Sequence, residues 1–254
     1  MEAYTSFAAV YDELMDDTPY EAWKKDIVSL FRAEGISEGL VLDLGCGTGT
    51  MTMLLAEEGY DMIGADLSME MLEIARQKKE GTEYDILYLC QDMREFELYG
   101  TVAAVVCVCD SLNYLLELSE VEETFRLVNN YLDPGGIFIF DFNTVYKYRE
   151  IIGDAVIAEN RDKCSFIWEN YYEEETGINE YALTIFVEEK EGLFRKFEEQ
   201  HLQKGYELEE IKECLLRSGM EFVKAYDTET GKEPCGQTER ITVVAREQGK
   251  KKEL

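Results

Sequence analysis

The chain has 254 residues, 46 % of them hydrophobic, so it can fold around one large core or two small ones. Its formal net charge of -29 repels phosphate backbones and anionic lipids, so we expect no nucleic acid and no membrane among its partners. No apolar run reaches membrane-spanning length and no signal peptide is recognisable, which favours a cytoplasmic location. The sequence leaves the oligomeric state open.

The first predicted element is a helix over YEAWKKDIVSLFRAEG, and residues 40–142 then alternate short apolar runs with segments of helical periodicity. Further helices are predicted over TMTMLLAEEG, SMEMLEIARQKK with Ser68 as its N-cap, and VEETFRLVNNYL. Strands are predicted over LVLDL, YDMIGADL, DILYLCQD, VAAVVCVCD and IFIFDF, with a turn at DPGG before the last. Repeated strand–helix units predict an α/β fold with a doubly wound parallel sheet.

The pattern changes after Phe142. Residues 145–205 are rich in aromatic residues and glutamate and alternate apolar with polar positions, which predicts antiparallel strands. A helix over YELEEIKECLLRSG and strands over MEFVKAYD and RITVVAR follow. We therefore divide the chain into an α/β core with an amino-terminal helical cap, residues 1–144 and 206–254, and an inserted antiparallel lid, residues 145–205.

The seven cysteines include no CxxC pair, so neither a disulfide nor a metal site is indicated. Metal-binding patterns such as HExxH or an aspartate-rich loop do not occur in the sequence either. We therefore expect no metal ion.

Three glycines follow the first predicted strand, in the stretch VLDLGCGTG. Gly45, Gly47 and Gly49 give the backbone access to positive φ and let a ligand lie against it. A dinucleotide loop of the pattern G-x-G-x-x-G would need glycine at position 50, which is Thr50. Asp43 is also a poor neighbour for a diphosphate, so an NAD-dependent oxidoreductase is disfavoured.

VLDLGCGTG resembles motif I of the class I S-adenosylmethionine-dependent methyltransferases, and the LDPGG stretch also fits that family. The resemblance implies a seven-stranded, mostly parallel Rossmann-like sheet and S-adenosyl-L-methionine as cofactor. In that family the loop wraps the methionine part of the cofactor, whose ammonium and sulfonium suit a carboxylate. The implied cofactor residues of this loop are Asp43, Gly45, Cys46, Gly47 and Gly49.

The ends of the next two strands supply further implied contacts. Asp66 lies roughly 20 residues past the glycines, where a carboxylate binds ribose hydroxyls. Asp92 and the backbone of Met93 would meet the edges of adenine, and Leu67 and Met71 would lie along its ring. Asp66 also fits an ordinary acid at a helix start, and Leu67 and Met71 also fit core packing.

The stretch CDSLNYL ends the fourth strand, where the resemblance places residues near the transferable methyl group. It implies Asp110 as a cofactor residue and Asn113 and Tyr114 as acceptor residues. Trp168 is predicted at the wall of the acceptor pocket, with sheet packing as the alternative for the aromatic residues around it. The single histidine, His201, is a candidate general base because imidazole titrates near neutral pH, and a structural histidine is the alternative.

Aromatic side chains near the amino terminus are a further candidate group. We predict that Tyr11 and Trp23 contact the cofactor and that Tyr4 contacts the acceptor, because an aromatic face attracts a sulfonium. The alternative is that these side chains pack the first helix against the core.

The stretches FAAVYDELMDDTPYEAW and FEEQHLQKGYELEEI look like a bacterial subgroup of small-molecule methyltransferases, related to amino-sugar and glycine-type N-methyltransferases. The predicted function is therefore methyl transfer to a small-molecule acceptor through a nitrogen or oxygen nucleophile. A protein or RNA methyltransferase is one alternative. The other is a non-catalytic regulatory protein that binds S-adenosylmethionine.

Overall fold

The computed structural model of the chain describes residues 8–250. Its α-helices are α1 (Ala8–Leu14), α2 (Tyr20–Ala33), α3 (Thr50–Glu57), α4 (Met69–Lys79), α5 (Leu118–Tyr131) and α6 (Leu208–Arg217). A 3-10 turn spans Ser111–Tyr114 and a π-helical segment spans Lys147–Ile152. The strands are β1 (Leu40–Leu44), β2 (Asp61–Asp66), β3 (Leu87–Cys90), β4 (Val102–Cys107), β5 (Leu132–Asn143), β6 (Val156–Asn160), β7 (Cys164–Glu173), β8 (Ile178–Lys190), β9 (Leu193–Lys204), β10 (Met220–Asp227) and β11 (Arg240–Glu247).

The core is a seven-stranded sheet in the order β10-β11-β5-β4-β1-β2-β3. Strands β1 to β5 pair in parallel, and β11 runs antiparallel to both β5 and β10. One hydrophobic cluster lies on the α5 and α6 side of the sheet and another on the α2, α3 and α4 side. Burial on both faces explains why the central strands are almost wholly apolar. The predicted α/β fold with its mostly parallel sheet is confirmed.

The DPGG stretch is part of a strand and not the turn that we predicted. Strand β5 already begins at Leu132, and its pairing with β4 shifts register between Val102 and Ala104. Gly135 has a φ of 78°, and a Cβ on Gly136 would lie 2.8 Å from the carbonyl oxygen of Ala103. The two glycines therefore form a bulge inside the strand, because only glycine fits this close backbone approach.

A second sheet is formed by β6-β7-β8-β9, all antiparallel. Its inner face carries the buried or half-buried members of each alternating pattern, and its outer face is exposed. The π-helical segment that leads into this sheet was not predicted, since sequence periodicity does not distinguish it from a short α-helix.

The two sheets are joined through the side chain of Asn113. Its amide nitrogen donates to the carbonyl oxygens of Asn143 (2.9 Å) and Lys204 (2.7 Å), and its oxygen accepts from the backbone N–H of Asn143 at 2.8 Å. Asn113 is completely buried. The turn after β4 is thereby tied to the ends of both β5 and β9, which fixes the space between the sheets.

Candidate active site

A cavity of about 930 Å³ opens at the carboxyl ends of the parallel strands, between the core and the inner face of the second sheet. In an open α/β sheet this edge is where ligands bind. Most of the residues predicted from the sequence line it, namely Tyr11, Asp43, Gly45, Cys46, Gly47, Asp66, Leu67, Met71, Asp92, Met93, Asp110, Tyr114, Trp168 and His201. Strands distant in sequence therefore converge on one site.

The three glycines of the loop after β1 serve different purposes. All three have positive φ, at 77°, 54° and 75° for Gly45, Gly47 and Gly49. A Cβ on Gly45 would lie 2.7 Å from that of Ser111, and one on Gly49 would lie 2.6 Å from the hydroxyl of Tyr88. A Cβ on Gly47 would meet nothing within 4 Å. Gly45 and Gly49 therefore make room for protein side chains, and only Gly47 leaves open space.

Asp43 lies beneath this loop and is 1 % exposed. Its carboxylate accepts a hydrogen bond from the Thr52 hydroxyl at 2.6 Å. Burial raises the pKa of Asp43 to about 7, although the Thr52 hydrogen bond opposes the shift, and the nearby Asp66 adds to it. Asp43 thus forms the acidic floor of the loop, and its carboxyl keeps its proton to a higher pH than an exposed aspartate does.

Asp66 ends β2 and bridges the loop to α4. One carboxylate oxygen accepts the Gly47 N–H and the other accepts the Ser68 N–H, both at 2.8 Å. Burial raises the pKa of Asp66, while the backbone hydrogen bonds oppose that shift. Ser68 is the N-cap that we predicted, and its hydroxyl accepts from the Met71 N–H at 3.2 Å. Asp66 therefore shapes the loop in addition to facing the cavity.

The segment that follows β3 forms the next part of the cavity wall, beyond Asp66. Both oxygens of Asp92 pair with the Arg94 guanidinium, which also contacts Glu120 at 2.6 Å, and the hydrogen bonds to Arg94 lower the pKa of Asp92. Leu67 is 67 % exposed, whereas Met71 is 2 % exposed. An apolar side chain as exposed as Leu67 leaves a surface for a ligand to cover, and Met71 belongs mainly to the core.

The amino-terminal helix α1 closes over the glycine loop through charged contacts that the sequence did not reveal. Asp12 accepts from the Thr48 hydroxyl at 2.7 Å and pairs with Lys78 on α4 at 2.6 Å. At its other side, Arg161 of the second-sheet region pairs with Asp16 at 2.9 Å. This segment therefore spans the cavity between the core and the second sheet.

The predicted aromatic residues divide into two groups. The Tyr11 ring lines the cavity, and its hydroxyl lies 3.9 Å from the Cys109 sulfur, as does that of Tyr20. Trp23 does not line the cavity: its ring packs edge-on against Tyr20 and lies under the Arg240 guanidinium at 5.4 Å. The structure thus corrects the prediction for Trp23, whose position is behind the wall. Tyr4 lies outside the described residues.

The turn after β4 has an unusual backbone. Cys109 and Asp110 both have positive φ, 63° and 54°, which is uncommon for residues other than glycine. The buried Asp141 carboxylate accepts both of their N–H groups, at 2.9 Å and 2.7 Å. Arg240 pairs with Asp141 at 3.2 Å and with Asp110 at 2.5 Å. Asp141 was missed, although an acid within the apolar run IFIFDF is a recognisable signal of a buried polar role.

The Asp110 side chain faces the second sheet and not the glycine loop. One of its oxygens accepts from the Gln203 amide at 3.0 Å. The Gln203 carbonyl oxygen in turn accepts from the hydroxyls of Tyr148, at 2.6 Å, and Tyr181. The next residue, Ser111, contacts the glycine loop, because its hydroxyl donates to the Gly45 carbonyl oxygen at 3.2 Å. The turn after β4 therefore lies between the glycine loop and the second sheet.

The inner face of β7, β8 and β9 completes this end of the cavity. Trp168 packs edge-on against Tyr181 with ring centroids 4.8 Å apart. His201 is 4 % exposed, with Nε2 3.3 Å from a Glu199 carboxylate oxygen and Nδ1 3.5 Å from the Tyr114 hydroxyl. Asn113, which we predicted as an acceptor residue, is not part of the wall, because its amide is committed to backbone groups.

Within residues 8–250, no group of three or more His, Cys, Asp or Glu side chains is placed to hold a metal ion. In the same part of the chain, no helix combines the length and the apolar character that crossing a membrane requires.

Comparison with known proteins identifies the family. The sequence model of a methyltransferase domain matches residues 41–136. A protein of Geobacillus sp. (strain WCH70) that is named as a methyltransferase is 36 % identical over 244 residues, which are 96 % of this chain and 99 % of that relative. A solved S-adenosylmethionine-dependent methyltransferase from Clostridium acetobutylicum ATCC 824 has a TM-score of 0.88 at 29 % identity, covering 97 % of this chain and 99 % of its own.

A more distant relative has a named substrate. The dTDP-3-amino-3,4,6-trideoxy-alpha-D-glucopyranose N,N-dimethyltransferase of Streptomyces venezuelae is 32 % identical over 122 residues, which are 48 % of this chain and 50 % of that enzyme. With these similarities and the geometry above, the chain belongs to the class I S-adenosylmethionine-dependent methyltransferases, and S-adenosylmethionine is its cofactor.

Proposed function

We propose that this enzyme transfers a methyl group to a small-molecule acceptor through a nitrogen or oxygen nucleophile. The observation that carries the proposal is the cavity of about 930 Å³ that joins the glycine loop to the largely aromatic inner face of the second sheet. A volume of this size is in the range of pockets for small ligands.

The residues at the core end of the cavity fit the cofactor. Gly47 leaves open space beside the loop, and Asp43 and Asp66 offer carboxylates to an ammonium and to ribose hydroxyls. Asp92 is oriented by Arg94, and the exposed Leu67 offers an apolar surface for the adenine ring. We assign the cofactor to these residues together with Cys46, Met71 and Met93.

When bound, S-adenosylmethionine supplies an electrophilic methyl group carried by a positively charged sulfur. The protein has to position the acceptor in line with that group and exclude water. We assign acceptor positioning to Tyr114 and Trp168, and water exclusion to α1 together with the second sheet. Residues 145–205 therefore act as the lid of the site.

His201 is the proposed proton acceptor. Its ring lies in the cavity wall between Glu199 and Tyr114, and a carboxylate beside one ring nitrogen favours the proton on that nitrogen. The other ring nitrogen then faces the Tyr114 hydroxyl. A neutral amine acceptor would need less help from such a base than a hydroxyl acceptor.

Calorimetry on the purified protein tests the cofactor site. We expect S-adenosylmethionine and S-adenosylhomocysteine to bind with micromolar dissociation constants and NAD to bind weakly or not at all. Tight NAD binding would overturn the assignment.

A metabolite screen with methyl-deuterated S-adenosylmethionine tests the acceptor. We expect a labelled small molecule and stoichiometric release of S-adenosylhomocysteine, with tRNA and cell protein as parallel substrates. Label appearing in tRNA or protein instead would favour the macromolecular alternative. Cofactor binding with no turnover on any substrate would favour a regulatory protein.

A further inference from the structure

The cavity wall formed by the turn after β4 contains a charged cluster that the proposed reaction so far does not use. It consists of Asp110, Asp141 and Arg240, from the turn after β4, from β5 and from β11. Asp110 and Arg240 line the cavity, whereas Asp141 is 2 % exposed and lies behind them. Three segments distant in sequence thus meet at one carboxylate in the acceptor end of the site.

We propose that Asp110 determines acceptor specificity by receiving an amino group of the acceptor, and that Asp141 and Arg240 are positioning residues that hold Asp110 in place. The inference rests on the proposed function and deepens it, since it selects a nitrogen nucleophile over an oxygen nucleophile.

The backbone geometry argues for positioning. Two consecutive residues with positive φ, Cys109 and Asp110, cost energy in an L-residue chain and persist only where the surroundings enforce them. The Asp141 carboxylate supplies that force by accepting both N–H groups. Without this turn, a residue directly after β4 would continue along the strand and would not present its carboxylate to the second sheet.

The hydrogen-bond pattern leaves Asp110 able to accept a ligand. One oxygen accepts from Arg240 and the other accepts from the Gln203 amide. A carboxylate oxygen has two acceptor sites, so each retains one. The Gln203 oxygen accepts the hydroxyls of Tyr148 and Tyr181. Its N–H faces Asp110, where an ionised carboxylate can only accept. The Gln203 amide is therefore satisfied at both ends while Asp110 acts as an acceptor.

The charge balance favours a cationic group over an anionic one. Arg240 is shared between two carboxylates, which together carry one negative charge in excess when both are ionised, although burial raises the pKa of Asp141. The other cation lining this end is Lys147, whose Nζ donates to the Asn143 side-chain oxygen at 3.1 Å, and burial lowers the pKa of Lys147. Near His201, the additional charged group is the buried Glu199 carboxylate. An amine, protonated in water at neutral pH, matches this surplus of acceptors. The bound ammonium must then give one proton to the proposed proton acceptor, His201, so that the nitrogen lone pair can attack the methyl group.

The test uses three probes that share a cyclohexyl ring and differ in its polar group: cyclohexylamine, cyclohexanol and cyclohexanecarboxylate. Their binding to the full-length protein saturated with S-adenosylhomocysteine is measured by saturation-transfer NMR at pH 7.5. We expect the wild type to bind the amine at least about tenfold more tightly than the alcohol and to reject the carboxylate. Equal binding of amine and alcohol, or preference for the carboxylate, would overturn the inference.

Two isosteric variants locate the effect. Asp110→Asn should reduce the amine-to-alcohol preference by about tenfold, the usual loss when a charge-assisted hydrogen bond is removed. Asp141→Asn should lower the same ratio by a smaller factor, whereas a merely structural role would weaken both probes equally. Asp110→Glu, which keeps the charge, should restore part of the preference.

The S-adenosylhomocysteine affinity of each variant separates the inference from the proposed function. We expect it to stay within about twofold of the wild type. If Asp110→Asn weakens S-adenosylhomocysteine as much as the amine, Asp110 is a cofactor residue and the inference is wrong. If the wild type binds no S-adenosylhomocysteine, the proposed function is wrong, and the inference that rests on it falls with it.

Discussion

The two ends of the cavity are built in contrasting ways. At the core end, the glycine loop, Asp43 and Asp66 come from one stretch of 27 residues (40–66), and their contacts are mostly to each other and to nearby backbone. At the acceptor end, Asp110, Asp141, Gln203 and Arg240 come from four separate segments and contact one another only because the sheets fold together. The local end can form from neighbouring residues, whereas the assembled end exists only once the two sheets have packed together.

The largest expected effect concerns two glycines of the local end. Gly49→Ala should destabilise the protein by about 2–5 kcal/mol, because a Cβ there would lie 2.6 Å from the Tyr88 hydroxyl and φ is 75°. Gly47→Ala, with the same kind of backbone but open space around it, should lose only about 1–2 kcal/mol. Urea unfolding of the two variants measures the difference. Equal losses of unfolding free energy in the two variants would show that Tyr88 can shift to accommodate a Cβ on Gly49.

The second prediction concerns the acidic floor of the loop. The pKa of Asp43 is raised to about 7 by burial, so in the folded state the carboxyl holds its proton at a pH where the unfolded chain has lost it. The contribution of Asp43 to the free energy of unfolding therefore falls as pH rises from about 4 to about 7. Asp43→Asn removes this loss and still accepts the Thr52 hydroxyl. The stability of the variant relative to wild type should rise by about 2–4 kcal/mol between pH 4 and pH 8.

Denaturant titrations of wild type and Asp43→Asn at several pH values give that difference directly. The other carboxyl groups are the same in both proteins, so their contributions to the pH dependence of stability cancel in the comparison. The exposed Asp61→Asn at the start of β2 serves as the control and should show a flat difference. A flat difference for Asp43→Asn as well would mean that this carboxyl ionises freely in the folded protein.

The third prediction links the loop to the cofactor. Asp66→Ala removes an acceptor for ribose hydroxyls and also the hydrogen bond that holds the Gly47 N–H. Hydrogen bonds to a charged group contribute roughly 1.5–3 kcal/mol, so affinity for S-adenosylhomocysteine should fall at least tenfold. Calorimetry measures the change, with Asp61→Ala on the same strand as the matched control. Unchanged affinity in Asp66→Ala would show that another residue binds the ribose hydroxyls.

The fourth prediction concerns His201, in the second-sheet wall of the cavity, and it has the smallest expected effect on cofactor affinity. His201→Ala should lower turnover several-fold, while the affinity for S-adenosylhomocysteine stays within about twofold of wild type. The pH–rate profile of the variant should differ in shape from that of wild type if the ring accepts a proton. Gln200→Ala, the exposed neighbour on β9, is the control for strand damage. Overlapping activity profiles of His201→Ala and wild type would make His201 structural and leave catalysis to positioning alone.

The same contrast explains which parts of the site could be predicted. The glycine loop, Asp43 and Asp66 were recognisable because a strand, a tight turn and a helix start are encoded by adjacent residues. Trp23 and Asn113 were assigned wrongly, because an aromatic or amide side chain near a pocket can face either the ligand or the protein behind it. Asp12, Asp141, Gln203 and Arg240 were missed, since nothing local marks their partners.

The sequence by itself determined the order of strands and helices, the parallel core and the glycine turn, because these follow from hydrophobic periodicity and from turn chemistry within a few residues. The cofactor followed from the resemblance of that turn to motif I of the methyltransferase family. Only the tertiary structure decided that a Cβ on Gly45 or Gly49 would collide with protein side chains, and that Asp110 points to the second sheet. Both depend on long-range packing: Ser111 and Tyr88 crowd the glycines, and Asp141 and Arg240 hold the turn after β4.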